Sequence, residues 1–126
     1  MSVRCVIVDD STVVLKAARE LLEGQGIDVV AVATTVDQAT EAVAEFEPDV
    51  VLVDIYLGQD SGFDLARSLQ PTLRRIGSAS ILISTHDESE FADMIAASPA
   101  IGFVPKADLS ADALRVLLSA ARPTDR

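Results

Sequence analysis

The stretch VRCVIVDDS, residues 3–11, decides how the rest of the chain is read. Val3 and the run Cys5-Val6-Ile7-Val8 are broken only by Arg4, and the run ends abruptly in Asp9 and Asp10. It is too short for an ordinary helix and too continuously apolar for a half-exposed strand. Such a run suits a strand buried on both faces, as in a parallel sheet. Runs of the same kind, rich in Val, Ile and Leu, recur at 27–33, 50–53, 79–83 and 101–104.

Helical periodicity fills the intervals. Residues 12–23 place Val14, Leu15, Ala18, Leu21 and Leu22 on one stripe, with Gly24 as a C-cap. Residues 36–46 carry Ala39, Val43 and Phe46 on one side and Glu41 and Glu45 on the other, and Pro48 stops them. Residues 62–69 align Leu65, Ala66 and Leu69. Residues 88–97 carry Phe91, Met94 and Ile95 before Pro99. Residues 109–121 carry Leu114, Leu117, Leu118 and Ala121, with Ser110 as N-cap. The strand–helix alternation runs five times, which predicts an α/β fold: a doubly wound (βα)5 three-layer sandwich around a five-stranded parallel sheet. Residues 122–126 read as an exit or the stub of a linker, after a domain spanning 1–122.

Composition bounds the function. A chain of 126 residues is one domain, against a prior of roughly 150 residues per domain. Hydrophobic residues are 49% and charged residues 24%, enough for a core and too few charges for wholesale disorder. With aromatics at 4% and no Trp, that core is aliphatic. Twenty acidic against ten basic side chains give a net charge of −10, which disfavours direct binding to nucleic acid or to an anionic membrane. The single cysteine, Cys5, rules out an internal disulfide and reads as a buried core thiol. No apolar run approaches the ~20 residues of a membrane span, and no signal core follows a basic start. The expectation is a soluble, cytoplasmic domain, monomeric or weakly dimeric.

In open parallel sheets, sites form beyond the carboxyl ends of the strands. Asp9 and Asp10 follow the first strand, and Asp54 ends the third. Ser84, Thr85 and His86 end the fourth, and Lys106 follows the fifth. Taken singly, each has an ordinary structural role: a helix N-terminal charge pair, a turn residue, a strand-end hydroxyl, a surface lysine. Together they put three carboxylates, a hydroxyl and a lysine on one rim. Clustered carboxylates repel and raise one another's pKa, and a hard divalent cation such as Mg²⁺ relieves the repulsion. A carboxylate, a metal, an ammonium and a hydroxyl are also what accepting a phosphoryl group requires.

These residues resemble the receiver domain of two-component response regulators. The likeness runs from Val3 to about Ala121. It is carried by VIVDDS at 6–11, VLVDI at 51–55, SGFDLA at 61–66, ILIS at 81–84 and GFVPK at 102–106. The intervals agree too: 45 residues from Asp9 to Asp54, 30 on to Ser84 and 22 on to Lys106. The resemblance implies a flavodoxin-like sheet of order 2-1-3-4-5. It implies phosphorylation of Asp54 by a sensor histidine kinase or phosphotransfer protein. Mg²⁺ would be held by Asp9, Asp10, Asp54 and the backbone carbonyl of Tyr56. Ser84 and Lys106 would engage the phosphoryl oxygens, and Ser84 with Phe103 would form the switch. The face of the fourth helix, fifth strand and fifth helix, with Phe91, Met94, Phe103 and Arg115, would read out the state. The IGFVPK run resembles receivers joined to helix-turn-helix output domains.

The pattern departs from the family's commonest form at two positions. Thr85 stands where a small residue is usual and would narrow phosphoryl access. Ala107 follows Lys106 where proline is frequent. His86, the sole histidine, reads as an exposed residue tuning phosphoryl lifetime rather than as a metal ligand, since a single His is a poor zinc site. Tyr56 reads equally as a shield over the acyl phosphate or as a surface aromatic. Two other functions compete: a Mg²⁺ phosphohydrolase with an aspartyl-phosphate intermediate, and an unphosphorylated interaction scaffold. Against the first, Asp9 and Asp10 are adjacent, where the haloacid-dehalogenase type separates its two aspartates by one residue. Against the second stand the intact acidic set and Lys106.

Overall fold

The computed structural model describes residues 2–121. Its elements alternate as the sequence predicts: β1 (Arg4–Val8), α1 (Thr12–Gly24), β2 (Asp28–Ala33), α2 (Val36–Phe46), β3 (Val50–Asp54), α3 (Gly62–Ile76), β4 (Ala79–Ser84), α4 (Ala92–Ala97), β5 (Gly102–Pro105) and α5 (Ala111–Ala121). All five strands lie parallel in one sheet of order β2-β1-β3-β4-β5. The segment 122–126, read from sequence as a tail, falls outside the described residues.

The period-two geometry of strands splits the sheet's apolar side chains between two cores. Cys5 and Ile7 of β1, Val50 and Leu52 of β3, and Ile81 and Ile83 of β4 face α1 and α5. There they meet Leu15, Leu22, Leu114 and Leu118. Val6, Val8, Val51, Val53 and Leu82 face the other way, onto Val43 of α2 and Leu65, Leu69 and Leu73 of α3. Burial in the first core pushes the Cys5 thiol up to about 12, which leaves it an inert core group as expected.

Several boundaries differ from the sequence reading, each for a physical reason. Helix α3 does not stop near Leu69 but runs through Pro71 to Ile76. Pro71 is exposed, while the apolar period continues past it to buried Leu73. Seating that leucine offsets much of the ~3 kcal/mol that an interior proline costs. The helix read over 88–97 is two pieces, a 3₁₀ turn at Glu88–Phe91 and α4. The turn is closed by a capping box between Asp87 and Glu90. Gly24 is the last residue of α1 rather than its cap, which falls on Gln25, and Leu21 is 43% exposed rather than core. Helix α5 begins at Ala111. Ser110 Oγ accepts the Ala113 N–H (3.0 Å), and Gln25 Oε1, reaching over from the end of α1, accepts the Ala111 N–H (2.7 Å).

One element had no counterpart in the sequence reading. Tyr56–Leu57 and Asp60–Ser61 pair as a small antiparallel hairpin between β3 and α3. It returns the chain so sharply that Gly62 lies against the end of β3. A Cβ at Gly62 would sit 2.0 Å from the carbonyl oxygen of Asp54, so only glycine fits. Gly24, by contrast, has nothing within 4 Å of where its Cβ would be. Gly62→Ala should therefore lower stability in urea unfolding by about 3 kcal/mol, since backbone must move to admit the methyl. Gly24→Ala should raise it by about 0.5 kcal/mol through helix propensity.

Candidate functional site

Because the strands are parallel, their carboxyl ends share one edge, and the residues singled out from sequence gather there. Asp9, Asp10 and Asp54 each offer a carboxylate oxygen, all within 4.8 Å of one another. Asp9 is fully buried and Asp54 is 5% exposed, while Asp10 is exposed. Lys106 Nζ lies 2.6 Å from Asp9 Oδ2 and 3.2 Å from Asp54 Oδ2, so one ammonium bridges two buried carboxylates that start 45 residues apart.

The backbone fixes each acid in place. Asp9 Oδ1 accepts the Ser11 N–H (2.9 Å). Ser11 in turn caps α1 by accepting the Val14 N–H. Asp54 Oδ1 accepts the Tyr56 N–H (3.3 Å). Asp10 Oδ2 accepts the N–H of Gly58 (3.0 Å), at the tip of the hairpin, where φ is +64°. The other oxygen of Asp9, Oδ2, is buried and pairs with the Lys106 ammonium at 2.6 Å.

Electrostatics at this edge are poised. Burial, then the neighbouring Asp9 charge, raises the Asp54 carboxyl above the usual carboxylate range, against the opposing pull of Lys106. Burial works against the Lys106 charge, but its contacts with Asp9 and Asp54 outweigh this and hold the ammonium above its ordinary value. The donor set is all oxygen, crowded, and short of positive charge: three carboxylates share one ammonium. These features fit a hard divalent cation such as Mg²⁺.

Ser84 is 1% exposed at the end of β4, and its Oγ accepts the His86 N–H (3.0 Å). Thr85 and His86 are exposed beside it. Tyr56 is half-exposed, and its ring meets His86 edge-on with centroids 5.2 Å apart. Phe103 is half-buried on β5 and packs, with Phe91 and Ile95, against the core on the α2–α3 side of the sheet. Met94 is exposed nearby on α4. Arg115 lies on α5, beside Gly26 and 3.8 Å from Asp112. Lys106 opens a 3₁₀ turn (Lys106–Asp108), and the peptide bond to Ala107 is trans, like every other among the described residues. Sequence reading missed Gly58 and Gly62. Gly62 lay within a quoted motif, but nothing in the letters showed its contact with Asp54, and the Asp10–Gly58 bond spans 48 residues.

An acidic pocket with a bridging lysine at the carboxyl edge of a 2-1-3-4-5 parallel sheet defines a class of signalling domain. The chain belongs to the response regulator receiver domain family, whose model matches residues 5–118. It is 28% identical over 114 residues to the transcriptional regulatory protein DegU of Brevibacillus brevis, covering 89% of this chain and 47% of that protein. It is 41% identical over 71 residues to a protein-glutamate methylesterase/protein-glutamine glutaminase of Geobacter metallireducens, covering 56% of this chain and 20% of that one. Among solved structures, a LuxR-family two-component response regulator from Aurantimonas sp. superposes with a TM-score of 0.84 at 27% identity, covering 97% of this chain and 89% of that one. The chain matches about a fifth to a half of these curated relatives' lengths. Among the described residues no helix is long and apolar enough to cross a membrane.

A buried carboxyl whose pKa is raised destabilises the fold once ionised. That loss is absent at low pH and sets in as pH climbs from the ordinary aspartate range through the raised value of Asp54. Asp54→Asn should therefore melt about 3 °C above the wild type at neutral pH in chelator, with the gap closing as pH falls below the aspartate range. Added Mg²⁺ should raise the wild-type Tm more than the variant's, as read by differential scanning calorimetry.

Proposed function

We propose that this domain takes a phosphoryl group from the phosphohistidine of a sensor histidine kinase or phosphotransfer protein onto Asp54. The observation that carries the reading is the Lys106 ammonium held between Asp9 Oδ2 and Asp54 Oδ2, beside the third carboxylate of Asp10. A carboxylate oxygen of Asp54 attacks phosphorus, and the phosphorus–nitrogen bond to the donor histidine breaks. The imidazole leaves with the bond's electron pair, and Asp54 becomes an acyl phosphate. Burial and the neighbouring Asp9 charge raise the basicity of the Asp54 carboxylate, which favours its attack. Lys106 stays beside the acceptor and neutralises the charge of the incoming phosphoryl oxygens. Asp9, Asp10, Asp54 and the carbonyl of Tyr56 are the groups that would hold Mg²⁺, which when bound supplies further charge neutralisation at those oxygens.

Ser84 is the hydroxyl that would follow the phosphoryl group, and Phe103, on the neighbouring strand opposite Leu82, is the aromatic that would respond to Ser84. Phe91, Met94 and Phe103 supply the apolar part of the face that a partner would read. Thr85, His86 and Tyr56 rim the entrance, where side-chain bulk sets access for donor and for hydrolytic water. Membership of the receiver family fits phosphorelay signalling rather than turnover of an external ester.

Incubation with Mg²⁺ and acetyl phosphate should add the mass of one phosphoryl group, seen by intact mass spectrometry. Asp54→Asn should abolish the gain, and Lys106→Met should slow it by at least tenfold. No gain in the wild type, or an equal gain in the Asp54 variant, would reject the reading.

A further inference from the structure

We propose that His86 latches the Ser84 hydroxyl in its resting position, so that the ring sets how readily Ser84 can be recruited to Asp54. The inference rests on the phosphoacceptor reading above. Ser84 Oγ is buried and receives two contacts from the same residue: the backbone N–H of His86 at 3.0 Å and its ring Nδ1 at 3.4 Å. The backbone donor uses one lone pair of the hydroxyl. The hydroxyl proton then needs an acceptor, and in the tautomer protonated at Nε2 the ring Nδ1 is one. A buried hydroxyl stripped of its acceptor costs more than the bond's net worth, so the contact favours the resting arrangement.

The ring is itself held. His86, Tyr56 and Phe91 meet pairwise edge-to-face, with centroids 5.2 Å (Tyr56–His86), 6.0 Å (His86–Phe91) and 5.9 Å (Tyr56–Phe91) apart and interplanar angles of 63°, 80° and 73°. Tyr56 is tied through its N–H to Asp54 Oδ1. Phe91 ends the 3₁₀ turn that leads into α4. The latch therefore joins the acceptor loop, the Ser84 strand end and the start of α4 in one contact group. Movement of the hydroxyl toward Asp54 gives up Nδ1 and loosens the ring from both aromatic neighbours. That conveys the event at Asp54 to α4. His86 acts here as a positioning residue, through Ser84.

His86 is the only histidine in the chain, so ring-nitrogen NMR of the uniformly ¹⁵N-labelled protein reads it alone. The spectrum is recorded through a pH series and read at its alkaline plateau, where the ring is neutral. The expected resting spectrum is the Nε2–H tautomer with Nδ1 shifted as a hydrogen-bond acceptor. Loading with Mg²⁺ and beryllofluoride should move Nδ1 to the position of an unbonded nitrogen, while the ¹⁹F resonance of bound beryllofluoride confirms loading. A proton on Nδ1, or an Nδ1 signal unmoved in the loaded protein, would overturn the latch and leave the phosphoacceptor reading standing. Absence of the bound ¹⁹F signal would overturn both.

Variants give an independent arm. His86→Phe keeps a ring for Tyr56 and Phe91 but removes the acceptor, and should speed phosphorylation by acetyl phosphate about two- to fivefold, the factor one weak hydrogen bond carries. His86→Asn, which restores an acceptor near Nδ1 without the ring, should return most of that gain. In a Ser84→Ala background His86→Phe should have no effect. Equal gains from both His86 variants, or a gain that persists in the Ser84→Ala background, would show that ring packing and not the hydroxyl bond sets the rate.

Discussion

The shortage of positive charge at the carboxyl edge of the sheet organises this molecule. Three carboxylates meet there and one ammonium answers two of them, at 2.6 Å and 3.2 Å. Asp9 is completely buried and Asp54 nearly so, and the pair has little water to spread its charge. Lys106 alone does not satisfy them, because Asp54 remains above the usual carboxylate range despite the contact. The site is thus an unstable charge arrangement built into a stable scaffold. It favours whatever brings more positive charge, or lets Asp54 share its charge with an electrophile.

The scaffold tolerates this because its own stability is drawn from elsewhere. Two apolar cores cover the sheet, one under α1 and α5 and one under α2 and α3. The acidic edge is held by short backbone contacts instead: Ser11 on Asp9, Tyr56 on Asp54, Gly58 on Asp10. The hairpin at 56–61 is the piece that makes this possible. It offers an N–H to two of the three acids, and it brings Gly62 against the Asp54 carbonyl so closely that no side chain can enter.

Three of the five aromatic residues, Tyr56, Phe63 and Phe91, gather with His86 beside the acceptor loop. Tyr56, His86 and Phe91 come from three separate segments and meet edge-on above the strand ends, with Phe63 6.3 Å from Phe91 beneath them. Aliphatic side chains fill the sheet because β-branched residues pack well on a pleated surface. The rings do a different task. Their rigid, directional contacts link the acceptor loop to the turn before α4, a path that flexible aliphatic chains would transmit less sharply.

Much of this was legible in the order of residues. Apolar runs at 3–8 and 50–53 declared buried strands because burial on both faces removes the polar half of the strand pattern. The location of Asp9, Asp54, Ser84 and Lys106 after separate runs placed them on one edge because parallel strands end together. Local chemistry also set Ser110 as a cap, while the extension of α3 through Pro71 was hidden, because burial of Leu73 overrides a local preference that a reader of letters weighs first. What only the tertiary structure decided is which atoms meet: Lys106 on Asp9 as well as Asp54, Asp10 on Gly58, Ser84 on His86, Arg115 beside Gly26. Such contacts depend on distances of a few ångströms between segments tens of residues apart. Periodicity and composition fix the direction a side chain faces and carry no information about the length of the gap it must close.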